Sequence, residues 1–204
     1  MTAPSTEVLT TSQRLGRLVE DAPDEAIPLD WILAELHERA FGLILLVLAL
    51  PCCVPFLYGL PQVVALPLLF VSAQLMLGRR LPWLPDRLGA RTVSRDALDS
   101  LGRRAEPLLQ RIEAVSRPRL VALTRRPLDH VVGLALVLFS SSILLPLPAT
   151  NTVPGIAVVA VAMGLLQRDG VLVLLGGALG TGWIATLLLA GATLTTLIRR
   201  WAGL

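Results

Sequence analysis

Thirty-seven consecutive residues, Phe41 to Leu77, carry no charged side chain. A bilayer's hydrocarbon core is about 30 Å thick, and one helix needs roughly 20 apolar residues to cross it. The run is too long for one crossing and just short of two. Pro51, Pro55, Pro61 and Pro67 punctuate it, and each removes a backbone donor and disfavours straight helix. Broken backbone at membrane depth survives only where protein buries it or water lines it. The run therefore predicts an all-α integral membrane protein with proline-broken helices, either spanning or re-entrant, in preference to a soluble core helix pair.

A second uncharged run of the same length covers residues 131 to 167 and holds Pro146 and Pro154. Sliding the chain by 91 positions sets Gly42 on Gly133, Leu43 on Leu134, Leu45 on Leu136 and Pro55 on Pro146, while sliding by 89 sets Arg79 on Arg168. Both units read as acid, base, apolar run, proline-broken centre, apolar run, arginine, the kind of internal repeat from which transporter folds are built. Two crossings per unit make the copies parallel. One crossing plus a re-entrant loop makes them an inverted repeat, and the pattern leaves both open. A third apolar run, Val171 to Ile198, is Gly-rich and closed by Arg199-Arg200-Trp201, which suits a final span with close helix packing. The organisation expected is an interfacial segment at 1–40, a membrane unit at 41–78, a basic linker at 79–130, a second membrane unit at 131–168 and a C-terminal helix region at 169–204.

Polar segments orient these spans. Only 16% of residues are charged, against about 25% in an ordinary soluble domain. The linker holds twelve arginines and six acids, so the positive-inside rule makes it cytoplasmic. Its apolar positions, Ala97, Leu98, Leu101 and Ala105, then Leu108, Leu109, Ile112 and Val115, describe short amphipathic helices that suit anionic lipid. Interleaved acids and missing aromatics argue against nucleic acid as a partner. Before the first run lies a tail of eight acids and three arginines, unlike a cleaved secretory leader. In that tail Leu15, Leu18 and Val19 suggest one short helix. Pro28 opens another with Leu29, Ile32, Leu33, Leu36 and Ala40 at helical spacing, leading into the span beside Trp31. Cys52 and Cys53, adjacent and apolar in context, read as packing residues. Two distant histidines predict no metal site and no cofactor.

No nucleophile elbow or phosphate loop occurs, so no catalytic residue is assigned and a non-enzyme is expected. Asp96-x2-Asp99 resembles half of a diphosphate-binding motif, but its spacing suits the solvent face of a helix. Transport chemistry fits better, because broken helices offer free backbone groups and half-helix ends to ions or anionic groups. Gln74 and Asn151 are amides able to line such a path or to bond between helices. Arg79, Arg80 and Arg168 suit a phosphate head group or simple interfacial anchoring. Asp169 suits a helix cap, or a place near the pathway beside Glu38 and Asp129. These six, Gln74, Arg79, Arg80, Asn151, Arg168 and Asp169, are the candidate substrate-binding residues.

The run from Glu38 to Pro51 (ERAFGLILLVLALP) resembles the opening signature of the ExoD family of exopolysaccharide-synthesis membrane proteins. So do residues 67–80 (PLLFVSAQLMLGRR) with Trp83-Leu84-Pro85, residues 151–157 (NTVPGIA) and residues 164–170 (GLLQRDG). The similarity covers roughly residues 29–189, and Cys52-Cys53 departs from the small or polar pair expected there. The resemblance implies a multi-pass protein of the bacterial inner membrane linked to exopolysaccharide. It implies no particular reaction; the proline-broken helices and their flanking arginines lead us to expect a transporter-like or flippase-like role for an ion or a lipid-linked anionic substrate, with membrane lipids and polysaccharide-synthesis proteins as partners and, from the small size of the chain, a homodimer. A non-transporting scaffold or regulator of the polysaccharide machinery is the alternative.

Overall fold

The computed structural model describes residues 27–37, 39–55, 59–100, 103, 107, 119–124, 128–145 and 150–202. The expected tail helix around Leu15, the second linker helix after Pro107, and Glu38, Tyr58 and Pro146 lie outside them. The described chain is mostly helical. A two-residue strand β1 (Ile27–Pro28) precedes α1 (Leu29–Leu36), α2 (Arg39–Ala49) and a 3-10 turn (Leu50–Cys53). Then come α3 (Leu60–Met76), α4 (Asp86–Gly89), strand β2 (Thr92–Val93) and a 3-10 turn (Val121–Thr124). Residues 95–100 are also helical, and three long helices follow: α5 (Leu128–Ile143), α6 (Thr152–Gln167) and α7 (Gly170–Trp201).

The strand pair corrects an expectation of helices alone. Ile27 pairs antiparallel with Val93 and Pro28 with Thr92, and the Leu29 amide donates to the Arg91 carbonyl at 3.0 Å. Pro28 cannot donate to a ladder, so the pairing stops there and α1 begins. Ile27, Leu33, Leu36, Ala40 and Leu98 bury one another in a small cluster that pins the linker against α1. Instead of running on into the first apolar run, α1 ends at His37, whose φ of 51° turns the chain.

The prolines act unevenly. Pro51 lies in the 3-10 turn that ends α2, and Pro55 follows in the turn between α2 and α3. Pro61 and Pro154 sit in the first turns of α3 and α6, where the missing N–H is one that a helix leaves unbonded anyway. Pro67 breaks nothing. It lies inside the continuous α3 with its ring on the exposed side, while Ala65 and Leu68 beside it are fully buried. The lost bond is local, and packing on either side holds the helix.

Four helices form the core as two hairpins, α2 with α3 and α5 with α6; across them α2 packs on α6, and α3 on α5. The approach is close because two glycines allow it. A methyl at Gly42 would stand 2.7 Å from the Leu166 amide nitrogen and 2.9 Å from the Ala162 carbonyl oxygen. A methyl at Gly133 would collide with the backbone of Leu75 and Met76. In lipid, where burial of apolar surface between helices gains little, such close backbone contact is what binds helices together. Ser72 and Ser140 meet across α3 and α5 at 3.4 Å, both fully buried. Cys52 is buried against Gly155, and both cysteines are free thiols.

Phe41, Leu75, Asp129 and Leu165 all line one cavity, so both hairpins start and finish at the same end of the bundle. An inverted arrangement would start the second unit at the opposite end. The structure instead has the two units side by side and pointing the same way. The helices of 16 and 17 residues are about 25 Å long at about 1.5 Å per residue.

Helix α7, 32 residues, starts at that end, lies along α6 and α5 with Gly176 against Ala157 and Gly180 against Phe139, and keeps going. Most of its apolar residues beyond Ile184, among them Leu188, Leu189, Leu194 and Leu197, are exposed. Among the described helices it is the one that, unbroken, is long and apolar enough to cross a membrane.

Candidate functional site

At the shared end, two helix C-termini are closed in the same way. After α3 the chain enters a left-handed position at Gly78 (φ 73°), the Gly78 amide donates to the Leu75 carbonyl at 2.9 Å, and the Arg79 amide to the Gln74 carbonyl at 3.1 Å. That is a Schellman closure. After α6, Arg168 takes the left-handed position (φ 56°) and the Asp169 amide donates to the Gly164 carbonyl at 2.8 Å. Glycine adopts this conformation freely, whereas a side-chain-bearing residue there carries backbone strain of about 1–2 kcal/mol. Strain of this kind gathers at functional positions. Both closures throw an arginine off a helix end.

Gln74 fixes the first of these. Its side-chain amide donates to the Trp83 carbonyl at 3.1 Å, and its oxygen accepts from the Trp83 amide at 2.6 Å. Trp83 stacks edge-on against Phe70 with ring centres 5.9 Å apart. The loop carrying Arg79 and Arg80 is thereby tied back onto α3. On the other hairpin, His130 Nδ1 donates to the Met76 carbonyl at 2.8 Å, joining the start of α5 to the end of α3.

Between these ends lies a cavity of about 800 Å³, within the usual range for small-molecule sites. Its inner wall is apolar: Phe41, Leu75 and Leu165 are each buried. Its rim carries Arg79, Arg80 and Arg168, with Asp129 the one carboxylate among the described lining residues. Ala34, His37, Leu81 and Thr124 also line it, so two of the three non-glycine residues with positive φ among the described residues, His37 and Arg168, stand in its wall. Guanidinium groups present planar forks of donors that match phosphate and carboxylate oxygens, and three of them facing one carboxylate leave the rim positive.

Three of the six candidate residues therefore meet in one place. The other three do not line this cavity. Gln74 is committed to Trp83. Asp169 caps α7 by accepting from the Val171 amide at 2.9 Å. Asn151 stands at the start of α6, at the far end of the bundle, where its Oδ1 is buried with no hydrogen-bond partner among the described residues. Phe41, His37 and Thr124 were not anticipated. Phe41 looked like part of an uninterrupted apolar run, and nothing in residue spacing marks the fold at His37. A second cavity, about 420 Å³, is lined by Asp96, Asp99, Ser100 and Arg103. Asp99 there pairs with Arg103 one helical turn on, both exposed, as the solvent face of a helix would.

The family model described as "Exopolysaccharide synthesis, ExoD" matches residues 11–189. The Protein ExoD of Rhizobium meliloti is 30% identical over 167 residues, covering 79% of this chain and 69% of that protein. An uncharacterized protein of Synechocystis sp. is 27% identical over 179 residues, covering 83% of this chain and 84% of that protein. No solved structure matches. The similarity runs through both hairpins and most of α7, and with the family model covering most of its length, this chain belongs to the ExoD family of exopolysaccharide synthesis.

Proposed function

We propose that this protein is a multi-pass, non-enzymatic protein of the bacterial inner membrane that handles an anionic substrate, an ion or a lipid-linked group, in a transporter-like or flippase-like step of exopolysaccharide synthesis or export. The observation that carries the reading is the meeting of Arg79, Arg80 and Arg168, from the ends of both hairpins, around a cavity with an apolar inner wall. Family membership supplies the process; the cavity suggests the chemistry.

Topology follows from lengths and charges. The cavity end carries the arginine-rich linker, so it faces the cytoplasm. Hairpins about 25 Å deep enter from that face and return to it. Helix α7 starts at the same face, does not return, and crosses with some tilt. In this reading the hairpins are parallel copies about a two-fold axis along the bundle. Exchanging Gly42 with Gly133 and Leu166 with Met76 turns the first glycine contact into the second, as such an axis requires. A path for substrate through so small a chain favours a homodimer, for which the exposed half of α7 offers surface.

The test uses polysaccharide output from cells lacking their own copy and carrying R79Q/R80Q/R168Q, with R87Q/R91Q as a control on exposed arginines outside the cavity. We expect the triple variant to reach the membrane at normal levels but to lose most of its support of polysaccharide, with the control unchanged. Full output from the triple variant would remove the substrate reading and leave a scaffold.

A further inference from the structure

Resting on the anionic-substrate reading, we infer that the cavity is a lipid site: it takes a phosphate head group at its cationic rim and the adjoining hydrocarbon on its apolar wall. Two features divide the labour. Arg79 and Arg168 come from opposite hairpins and are held at fixed helix ends by the two closures, with the Arg79 loop further tied down through Gln74 and Trp83. A phosphate between them neutralises both, and charge-assisted bonds from guanidinium to phosphate are the strong kind. Beneath the rim lie Phe41, Leu75 and Leu165, buried and without a polar group among their side chains.

A free inorganic anion uses only half of this site. Pushed inward against Phe41, Leu75 and Leu165, it would lose its hydration beside side chains that carry no donor, a large cost for an ion. An amphiphile uses both halves, since each methylene moved out of water contributes about 0.8 kcal/mol. The site also lies where such a molecule is found, at the basic end of the bundle, where head groups meet the cytoplasm.

The experiment is a set of ligand titrations on the full chain purified in a neutral maltoside detergent, read as the shift of the thermal unfolding midpoint. Four probes separate the contributions: dioctanoyl phosphatidic acid, glycerol 3-phosphate, inorganic phosphate and dioctanoyl phosphatidylcholine. Phosphatidic acid should bind at least about tenfold more tightly than glycerol 3-phosphate, a ratio equivalent to about 1.4 kcal/mol. Phosphatidylcholine should shift the midpoint little. In R79Q/R168Q, with each shift read from the variant's own ligand-free midpoint, phosphatidic acid should weaken about tenfold or more. R80Q gives a second, independent reduction if the double variant folds poorly. Equal binding of glycerol 3-phosphate or inorganic phosphate would overturn the lipid assignment and leave an anion site. Binding of neither lipid nor soluble phosphate, or binding of phosphatidic acid undiminished in both arginine variants, would overturn the lipid and anion readings together.

Discussion

Gln74 shows how a single amide sets the geometry of a charged rim. It is buried, and both halves of its side chain are spent on the backbone of Trp83, nine residues on. Gln74→Leu keeps the volume but leaves the Trp83 amide and carbonyl without their partners, a loss of about 1–3 kcal/mol. We expect a lower thermal midpoint and faster proteolysis between Arg79 and Trp83. Arg79→Gln, on an exposed side chain, should leave the midpoint within about 0.5 kcal/mol of the parent while weakening anion binding. Residue identity announced the arginines, because charge next to an uncharged run is visible in one dimension. It did not announce the role of Gln74, since an amide in an apolar helix serves a substrate, a neighbouring helix or a returning loop equally well. Asp169 does cap α7, one of the roles its place before Gly170 offered, whereas the same ambiguity hid Asn151, which stands at the opposite end of the bundle.

At the scale of elements, glycines decide more than prolines do. Four prolines in the first run suggested a shattered helix, yet α3 runs through Pro67 and holds Pro61 in its first turn. Position within the helix, in the first turn or on the exposed side, determines what a proline costs, and composition alone does not record it. The glycines align because they serve one purpose twice: Gly42 and Gly133 admit the backbone of the opposite hairpin. Gly42→Ala or Gly133→Ala must displace backbone, and overpacking of this kind costs about 1–3 kcal/mol. Gly177 and Gly191 on α7 have open space where a Cβ would go, so Ala there should be neutral or stabilising by up to about 1 kcal/mol. Circular dichroism melts of the four variants in one detergent would check the contrast. If all four behave alike, the hairpins are not held by these two contacts. Element ends were legible from uncharged runs and their flanking arginines. The β1–β2 pair was not, because two residues of strand leave no periodic pattern.

For the whole molecule, the central claim is that both hairpins leave and return at one face, so that Arg79 and Arg168 meet, while α7 goes on to the other. Two uncharged runs of equal length were readable in the sequence; the relative direction of the hairpins they form was not, since it depends on which ends share a cavity. In the proposed topology the C-terminal arginines and Trp201 stand at the far interface, where cationic and indole side chains anchor a span. The most direct measurement is side-specific labelling of single cysteines at Ser100 and Ala202, in a background carrying C52A/C53A. The account predicts that a membrane-impermeant maleimide added to intact spheroplasts labels position 202 and reaches position 100 only after the membrane is opened. Labelling of both positions from the same side would contradict it, because α7 would then not cross and the hairpins would not share their face with the cytoplasm in the way proposed.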